Sequence, residues 1–139
     1  MLSNTRTVRI EWADCDPAGI VFYPRYFEMF DTSTVMLFEK ALGMPKKRFY
    51  SAFEFDGFPV VDTRAYFFRP TSYGDTVEIA SSIQFGTASF TVVHELTKNG
   101  ETAVKSDEKR VWVLRDPNDP LKFKSHPIPR AVIATFAAE

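Results

Sequence analysis

Residues Ala13 to Pro45 read ADCDPAGIVFYPRYFEMFDTSTVMLFEKALGMP, and this stretch decides the fold. From Pro24 to Leu42 the apolar residues recur at steps of three and four, which predicts an α-helix with one wide aromatic face. Pro24 suits the first helical position, and Gly43 ahead of Met44-Pro45 predicts a left-handed cap that ends the helix. The face consists of Tyr26, Phe27, Phe30, Leu37, Phe38 and Ala41. A face this wide must be covered by something large, and a sheet is the obvious cover.

Alternating apolar and polar residues predict strands on both sides of this helix. The first strand runs from Arg6 to Trp12, and strand-like sequence resumes at Pro59. Turn residues predict that hairpins join the later strands, at Gly74-Asp75, Gly86-Thr87 and Asn99-Gly100. The later strands and a terminal helix are expected at Val77–Phe85, Phe90–Leu96, Thr102–Leu114 and Pro129–Ala137. The order is strand, long helix and four antiparallel strands, which predicts an α+β fold with the helix lying on one sheet.

The size and composition of the chain limit its architecture and its partners. A chain of 139 residues fits a single domain, which we expect to span residues 1–139. The formal net charge of -1 provides no general field for nucleic acid, so we expect no nucleic-acid partner. The N-terminus lacks a signal-peptide run, no stretch approaches the ~20 apolar residues of a bilayer-spanning helix, and the single cysteine cannot form an internal disulfide. We therefore expect a cytoplasmic protein that does not enter a membrane, and the free edges of its sheet favour a dimer.

Asp14 and Asp16 lie in the loop that leads directly into the N-terminus of the predicted helix. A helix N-terminus carries unpaired backbone N–H groups and a partial positive charge, which can stabilise an oxyanion forming on a carbonyl. An ionised aspartate beside it is available as a nucleophile or as a base toward water. This arrangement is typical of a hydrolase, but many aspartates before a helix only accept hydrogen bonds from loop amides or cap the helix. The spacing alone leaves both interpretations open.

The sequence disfavours a cysteine nucleophile and a metal site. Cys15 would need a thiolate and a partner histidine. His94 falls on the apolar face of a strand, where a buried and hydrogen-bonded histidine is commoner, and His126 lies in a proline-rich tail. Two isolated histidines have no zinc-binding spacing. We expect neither a metal nor an organic cofactor.

Asp31 and the basic run Lys46–Arg48 have less certain roles. At about 100° per residue, Asp31 lies only about 40° from Phe27 on a helical wheel, at the edge of the aromatic face. Such a carboxylate can reach water, or, if it is buried, it needs a donor such as a ligand hydroxyl. The sequence leaves both interpretations of Asp31 open and predicts a solvated surface for the basic run.

Several motifs resemble those of the 4-hydroxybenzoyl-CoA thioesterase family, over about residues 8–128. DCDPAGIVFYPRYF, residues 14–27, resembles the active-site loop and helix start of that family. Gly57–Val61 and Phe68–Asp75 add to the match, the latter resembling the family's strand and turn that end in Gly-Asp. The resemblance implies the hotdog fold, a five-stranded antiparallel sheet wrapped around the long helix, with the chain assembled as a homodimer or homotetramer.

The resemblance also implies roles for individual residues in hydrolysis of an acyl-CoA substrate. Asp16 matches the essential carboxylate, and the backbone amide of Tyr23 matches the group that polarises the thioester carbonyl. Asp31 matches an aspartate that contacts the phenolic hydroxyl of a 4-hydroxybenzoyl group. The remaining substrate-binding residues are expected to be Gly19, Phe58 and Pro59.

Two departures from the family pattern bear on the substrate. Gly86–Ser89 stands where close relatives carry a basic cluster that holds coenzyme A phosphates, which leaves Lys124, with Arg69 or Lys122, as candidate phosphate ligands. Phe58 is bulkier than the small residue found there in close relatives, which implies a different acyl pocket. Two alternatives therefore stay open: a thioesterase for short- or medium-chain aliphatic acyl-CoA, and a non-catalytic dimer that binds acyl groups or a protein.

Overall fold

A computed structural model describes residues 1–137 of the chain, so residues 138 and 139 of the predicted domain lie outside the described part. The strands are β1 (Asn4–Arg9), β2 (Val60–Phe67), β3 (Thr76–Phe85), β4 (Ser89–Lys98), β5 (Glu101–Val111), β6 (Val113–Asp116) and β7 (Asp119–Ser125). The helices are α1 (Pro24–Leu42), α2 (Phe49–Ala52) and α3 (Arg130–Ala137), with short 3-10 turns at Trp12–Asp14 and Lys46–Arg48.

The main sheet has five antiparallel strands in the order β1-β3-β4-β5-β2, and α1 packs on its inner face. Side chains of β3 alternate strictly between buried and exposed, as expected for a sheet with one covered face. The β4–β5 hairpin turns at Asn99 and Gly100, both with positive φ, as the Asn-Gly signal predicts. The predicted α+β architecture, with a sheet of five strands around one long helix, is confirmed.

The predicted bounds of the long helix are confirmed at both ends. Pro24 is the first helical residue, and Gly43 ends the helix at φ 67° while its N–H donates to Glu39 O at 2.9 Å. Four of the predicted face residues are buried, and Met29, Ser33 and Thr34 join them. The two polar members of this set, Ser33 and Thr34, contact polar side chains on the sheet.

Two strand predictions are wrong in their bounds. The first strand ends at Arg9 rather than Trp12, and Trp12 is 74% exposed. Ile10 N–H donates to Asp75 O, and Ile10 O accepts a hydrogen bond from Gly74 N–H, both in the turn before β3. Because β3 begins only after this turn, β1 has no strand partner beyond Arg9. The predicted strand Thr102–Leu114 breaks at Trp112, whose indole N–H turns away to donate to Glu54 O at 2.7 Å.

The chain beyond this break forms a hairpin that the sequence analysis did not predict. β6 pairs with β7 as a separate two-stranded ribbon, and the turn between them lies around Asn118. The terminal helix is confirmed at Arg130–Ala137, where Val132 and Phe136 are buried in the aromatic core.

β2 forms one edge of the main sheet and is exposed along nearly its whole length. Its large apolar side chains Val60, Val61, Tyr66 and Phe67 are all exposed, as is the following Phe68. An apolar edge strand of this kind is a ready surface for pairing with another strand.

Candidate active site

The loop that carries Asp16 is closed by its own backbone hydrogen bonds. Asp16 N–H donates to Ile20 O at 3.0 Å, and Gly19 N–H donates to Asp16 O at 2.9 Å. Gly19 has φ +84°, a conformation that other L-residues rarely adopt. Val21 N–H then bonds Thr71 O at 2.8 Å, which ties the loop to the segment before β3.

The two aspartates of this loop differ in how their oxygens are used. Asp14 Oδ2 accepts a hydrogen bond from Glu11 N–H at 2.8 Å, and Asp14 O accepts one from Phe22 N–H at 2.8 Å. Asp16 Oδ1 accepts one from Ala18 N–H at 2.8 Å. Asp16 Oδ2 has no hydrogen-bond donor among residues 1–137. Asp14 is therefore a loop-stabilising residue, whereas half-buried Asp16 keeps one carboxylate oxygen free.

The first turn of α1 leaves one amide open beside this loop. Arg25 N–H donates to Phe22 O and Tyr26 N–H to Tyr23 O, while Pro24 has no N–H. Within the described chain, the Tyr23 N–H has no acceptor. An open amide at the positive end of a 19-residue helix is suited to hold negative charge on a ligand oxygen.

A cavity of about 310 Å3 lies against this helix end. Its lining residues are Ile20, Val21, Tyr23, Tyr26, Phe67, Phe68, Arg69 and Pro70. Burial raises the pKa of the Tyr26 phenol above its usual value, although its hydroxyl lies 2.6 Å from Thr71 Oγ1. Asp16 does not line this cavity itself but is hydrogen-bonded to Ile20, which does. We call this space the Tyr23 cavity.

Asp31 lies at a different cavity, of about 200 Å3, which we call the Asp31 cavity. The lining residues are Phe27, Phe30, Asp31, Val60, Thr63, Glu108 and Arg110, none of which lines the Tyr23 cavity. Tyr23 and Asp31 are eight residues apart on one helix, about 12 Å along its axis. A single chain therefore does not bring Asp16 and Asp31 into one pocket.

Asp31 has a hydrogen-bond partner within the chain. The Asp31 side chain is 62% exposed, and its Oδ1 accepts a hydrogen bond from Arg110 Nη2 at 2.7 Å. Arg110 in turn is bonded to Glu108, and both are buried. Glu108 and Arg110 were not among the residues predicted from the sequence, although alternation along β5 places both on its buried face.

Phe58 and Pro59 lie away from the Tyr23 cavity. The Phe58 ring is buried in the aromatic core, with Lys46 Nζ 4.8 Å and Arg110 Cζ 5.3 Å from its centroid. Both residues line a third cavity of about 310 Å3, next to the β6–β7 hairpin. Lys46 of the predicted solvated run is thus partly covered by this ring.

The candidate phosphate ligands are exposed and lie on different parts of the surface. Arg69 Nη2 is 2.8 Å from Glu101 Oε2, at the rim of the Tyr23 cavity. Lys124 Nζ is 3.6 Å from Asp116 Oδ2, on the β6–β7 hairpin.

Within residues 1–137, Cys15 has no histidine partner. Its Sγ lies 3.7 Å from Glu11 O. Both ring nitrogens of His94 are engaged, by Ser81 and Glu108, and His126 Nε2 lies 2.8 Å from Glu54. Across residues 1–137, no group of three or more His, Cys, Asp and Glu side chains is placed to hold a metal ion. In the same part of the chain, no helix combines the length and apolarity needed to cross a bilayer.

Comparisons with known proteins agree with the resemblance found in the sequence. The profile of the Thioesterase-like superfamily matches residues 10–136. The 4-hydroxybenzoyl-CoA thioesterase of Pseudomonas sp. (strain CBS-3) is 31% identical over 120 residues, covering 82% of this chain and 85% of that protein.

Solved structures extend the likeness to three dimensions. The structure of the Pseudomonas sp. strain CBS-3 enzyme matches with a TM-score of 0.86 at 30% identity, covering 96% of this chain and 98% of that one. A gentisyl-coenzyme A thioesterase matches with a TM-score of 0.80 at 32% identity, covering 94% and 99%. From the profile, the relative and these structures together, we conclude that the chain belongs to the Thioesterase-like superfamily and is a thioesterase with the hotdog fold.

Proposed function

We propose that this thioesterase hydrolyses an aryl-CoA, such as 4-hydroxybenzoyl-CoA, to the free acid and coenzyme A. One observation carries the proposal: half-buried Asp16, with one free carboxylate oxygen, lies in the loop that leads into α1, where the Tyr23 amide is open. The relatives named 4-hydroxybenzoyl-CoA and gentisyl-coenzyme A thioesterase support an aryl substrate.

In the proposed reaction, the thioester carbonyl oxygen accepts a hydrogen bond from the Tyr23 N–H. Asp16 either attacks the carbonyl carbon, giving an anhydride that water then opens, or removes a proton from an attacking water. The C–S bond breaks, and coenzyme A leaves as a thiolate that takes up a proton. Loss of one oxyanion donor typically raises a barrier by about 3 kcal/mol, so the helix amide matters alongside the carboxylate.

The test of Asp16 measures release of free thiol from 4-hydroxybenzoyl-CoA. Asp16→Asn keeps the acceptor for Ala18 N–H but removes the charge, and kcat is expected to fall at least about a hundredfold. Asp14→Asn is the matched control, because Asp14 also bonds a loop amide but has no proposed chemical role. Undiminished turnover in Asp16→Asn, or equal losses in both variants, would remove Asp16 from the mechanism.

We further propose that Asp31 accepts a hydrogen bond from a hydroxyl on the aryl ring. Its second oxygen has no donor among the described residues, and the aromatic rings of Phe27 and Phe30 line the same cavity. An aliphatic acyl-CoA is the second candidate, since Arg110 already supplies Asp31 with a donor. Comparison of hydroxylated, unhydroxylated and aliphatic CoA esters decides between them, and saturable binding without thiol release would indicate a non-catalytic acyl-binding protein.

For the coenzyme A moiety we propose Arg69 and Lys124 as phosphate ligands. Both cations are exposed. Arg69 pairs with exposed Glu101, which a phosphate can replace, whereas Lys124 lies 3.6 Å from Asp116, whose side chain is only 11% exposed. Gly19, Phe58 and Pro59 remain proposed substrate-binding residues, with Gly19 acting through the shape of the Asp16 loop. We propose the cytoplasm as the site of action.

We propose that two copies pair through β2 to complete the site. The Asp31 cavity borders the Val60 end of β2, and the Tyr23 cavity borders the Phe67 end. Antiparallel pairing of two β2 edges about a two-fold axis places the Asp31 cavity of one copy beside the Tyr23 cavity of the other. A homodimer, or a tetramer built from two such dimers, would unite the residues that one chain keeps apart.

A further inference from the structure

A connected row of buried polar side chains crosses the inner face of the sheet and ends at Asp31. Its buried members are Ser81 on β3, His94 on β4, Glu108 and Arg110 on β5, and Thr34 on α1. The surrounding core consists mostly of aromatic and aliphatic side chains. None of these polar groups has a role in the chemistry at Asp16, so their presence in the core calls for another explanation.

Arg110 is held on three sides. Its Nε donates to Glu108 Oε2, its Nη1 to Phe58 O at 3.2 Å, and its Nη2 to Asp31 Oδ1 at 2.7 Å. The side chain is only 6% exposed, and its guanidinium also lies over the Phe58 ring. Because the planar guanidinium is fixed by two buried acceptors, the direction of its third bond is fixed as well.

Glu108 is itself anchored from both sides. Thr34 Oγ1 donates to its Oε1 at 2.8 Å, and His94 Nε2 donates to the same oxygen. His94 is stacked on Phe30, and its Nδ1 lies 2.7 Å from Ser81 Oγ. Burial acts to raise the pKa of Glu108, but the His94 hydrogen bond and the Arg110 charge outweigh it and hold that pKa below its usual value. Glu108 therefore keeps its charge as a partner for Arg110.

Stability alone does not explain a buried ion pair, because replacing such a pair by apolar residues of similar volume often leaves a protein equally stable. What the pair does do here is restrain an exposed side chain. An aspartate on a helix surface can otherwise change rotamer freely. With Oδ1 held by Arg110, the carboxylate of Asp31 is fixed at the wall of its cavity, and Oδ2 stays available.

We infer that Arg110 is a positioning residue that sets the selectivity of this thioesterase for hydroxylated acyl groups, by aiming Asp31 at the ligand hydroxyl, and that Glu108 and His94 fix Arg110. The inference rests on the proposed hydroxyl recognition by Asp31. When an aryl ring fills the cavity and displaces water, the Asp31 carboxylate loses solvation. The Arg110 guanidinium then also stabilises that carboxylate charge. Arg110 does not touch the reacting atoms.

The test compares kcat/KM for 4-hydroxybenzoyl-CoA with kcat/KM for benzoyl-CoA, which lacks the hydroxyl. Arg110→Lys keeps the positive charge but cannot hold three acceptors in a plane. The ratio of the two kcat/KM values is expected to fall about tenfold, the effect of one charge-assisted hydrogen bond, with little change for benzoyl-CoA. Lys46→Met is the matched control, because Lys46 lies over the same Phe58 ring but does not contact Asp31.

A double-mutant comparison shows whether Arg110 acts through Asp31. In an Asp31→Asn background the selectivity is already lost, so Arg110→Lys should change the ratio no further. If Arg110→Lys does not fold, the pair Glu108→Gln with Arg110→Met removes both buried charges at similar volume and should show the same loss of selectivity. The inference is overturned if Asp31→Asn lowers the ratio of the two kcat/KM values but neither Arg110→Lys nor the double variant does. That result would leave the proposed role of Asp31 itself intact.

A crystal structure of the Arg110→Lys variant gives a readout that needs no substrate. We expect Asp31 to leave the position it holds in the wild type. If the carboxylate stays in place, Arg110 does not position it, whatever the substrate is. If wild type shows no preference for the hydroxylated ester, the proposed role of Asp31 in hydroxyl recognition fails instead.

Discussion

Gly19 fixes the shape of the loop that presents Asp16. Its φ of +84° lies in the left-handed region, and its N–H closes the turn on Asp16 O. Among residues 1–137, leaving out Gly19 and its two chain neighbours, no heavy atom lies within 4 Å of the position where a Cβ would stand. The requirement for glycine here is therefore conformational, and a larger residue would strain the backbone without any collision.

Replacing Gly19 by alanine is expected to cost about 1 kcal/mol of folding stability and also to lower kcat. Gly43→Ala is the matched control, because Gly43 has φ +67° and open space around it but lies at the far end of α1. Both variants should lose similar stability in urea unfolding, and only Gly19→Ala should lose turnover. Normal turnover in Gly19→Ala would show that the loop shape does not matter to the reaction.

Residues with local causes could be predicted from the sequence, and residues with distant partners could not. Gly43 and Asn99-Gly100 are recognisable because the cap and the turn need only their neighbours. The role of Arg110 depends on Asp31, 79 residues away, and on a carbonyl at Phe58. Glu108 and Arg110 stand at alternate positions of β5, so the sequence indicates that they share one face of the strand. It does not indicate which residues lie opposite that face.

Among the secondary-structure elements, β2 is the edge through which we propose that two copies pair. Phe68 N–H donates to Ala103 O, so alternate residues along β2 bond to β5 and the N–H of Ala65 points to the free edge. Proline at position 65 would keep every bond to β5 but remove a donor needed by a second β2 strand. Ala65→Pro is therefore expected to be a monomer with little thioesterase activity.

Light scattering during size-exclusion chromatography measures that outcome directly. Ala65→Ser retains the N–H and is the control, expected to behave as wild type in mass and in turnover. A dimeric Ala65→Pro variant would rule out pairing through this edge, and an active monomer would show that one chain suffices for catalysis.

The helix was predictable at both ends, whereas the strand ends were not. Pro24 and Gly43 mark the bounds of α1 in the sequence itself. β1 ends at Arg9 because the turn at Gly74-Asp75 removes its partner, and β5 ends where Trp112 turns to Glu54 O. Both limits come from contacts between segments far apart in the chain, which alternation alone does not encode.

For the whole molecule, the row of buried charges predicts loss of stability in acid. The pKa of Glu108 is held below its usual value of 4.5 in the folded chain, so its contribution is present above about that pH. It is lost as the pH falls through the lowered pKa. Asp75 also contributes stability that is lost in acid, because the hydrogen bond from Lys98 lowers its pKa in the folded chain.

Glu108→Gln isolates this contribution. At neutral pH the variant leaves Arg110 without its buried carboxylate, and the free energy of unfolding is expected to drop by about 3 kcal/mol. The gap to wild type should begin to narrow below about pH 4.5 and close as the pH falls through the lowered pKa of Glu108, where the carboxyl group of the folded wild type also becomes neutral. Urea unfolding over a pH series measures the gap, and a constant gap would contradict the account.

The contact between Glu108 and Arg110 also restricts how such a sequence can diverge. Loss of either residue alone leaves the other charge buried without this partner, so the single intermediates are expected to be less stable than either end state. Descendants of a common ancestor should then keep both or exchange both, and a lineage that abandons the pair is free to replace Asp31 as well. If Asp31 recognises the ligand as proposed, loss of all three residues together would mark where a lineage changed its ligand.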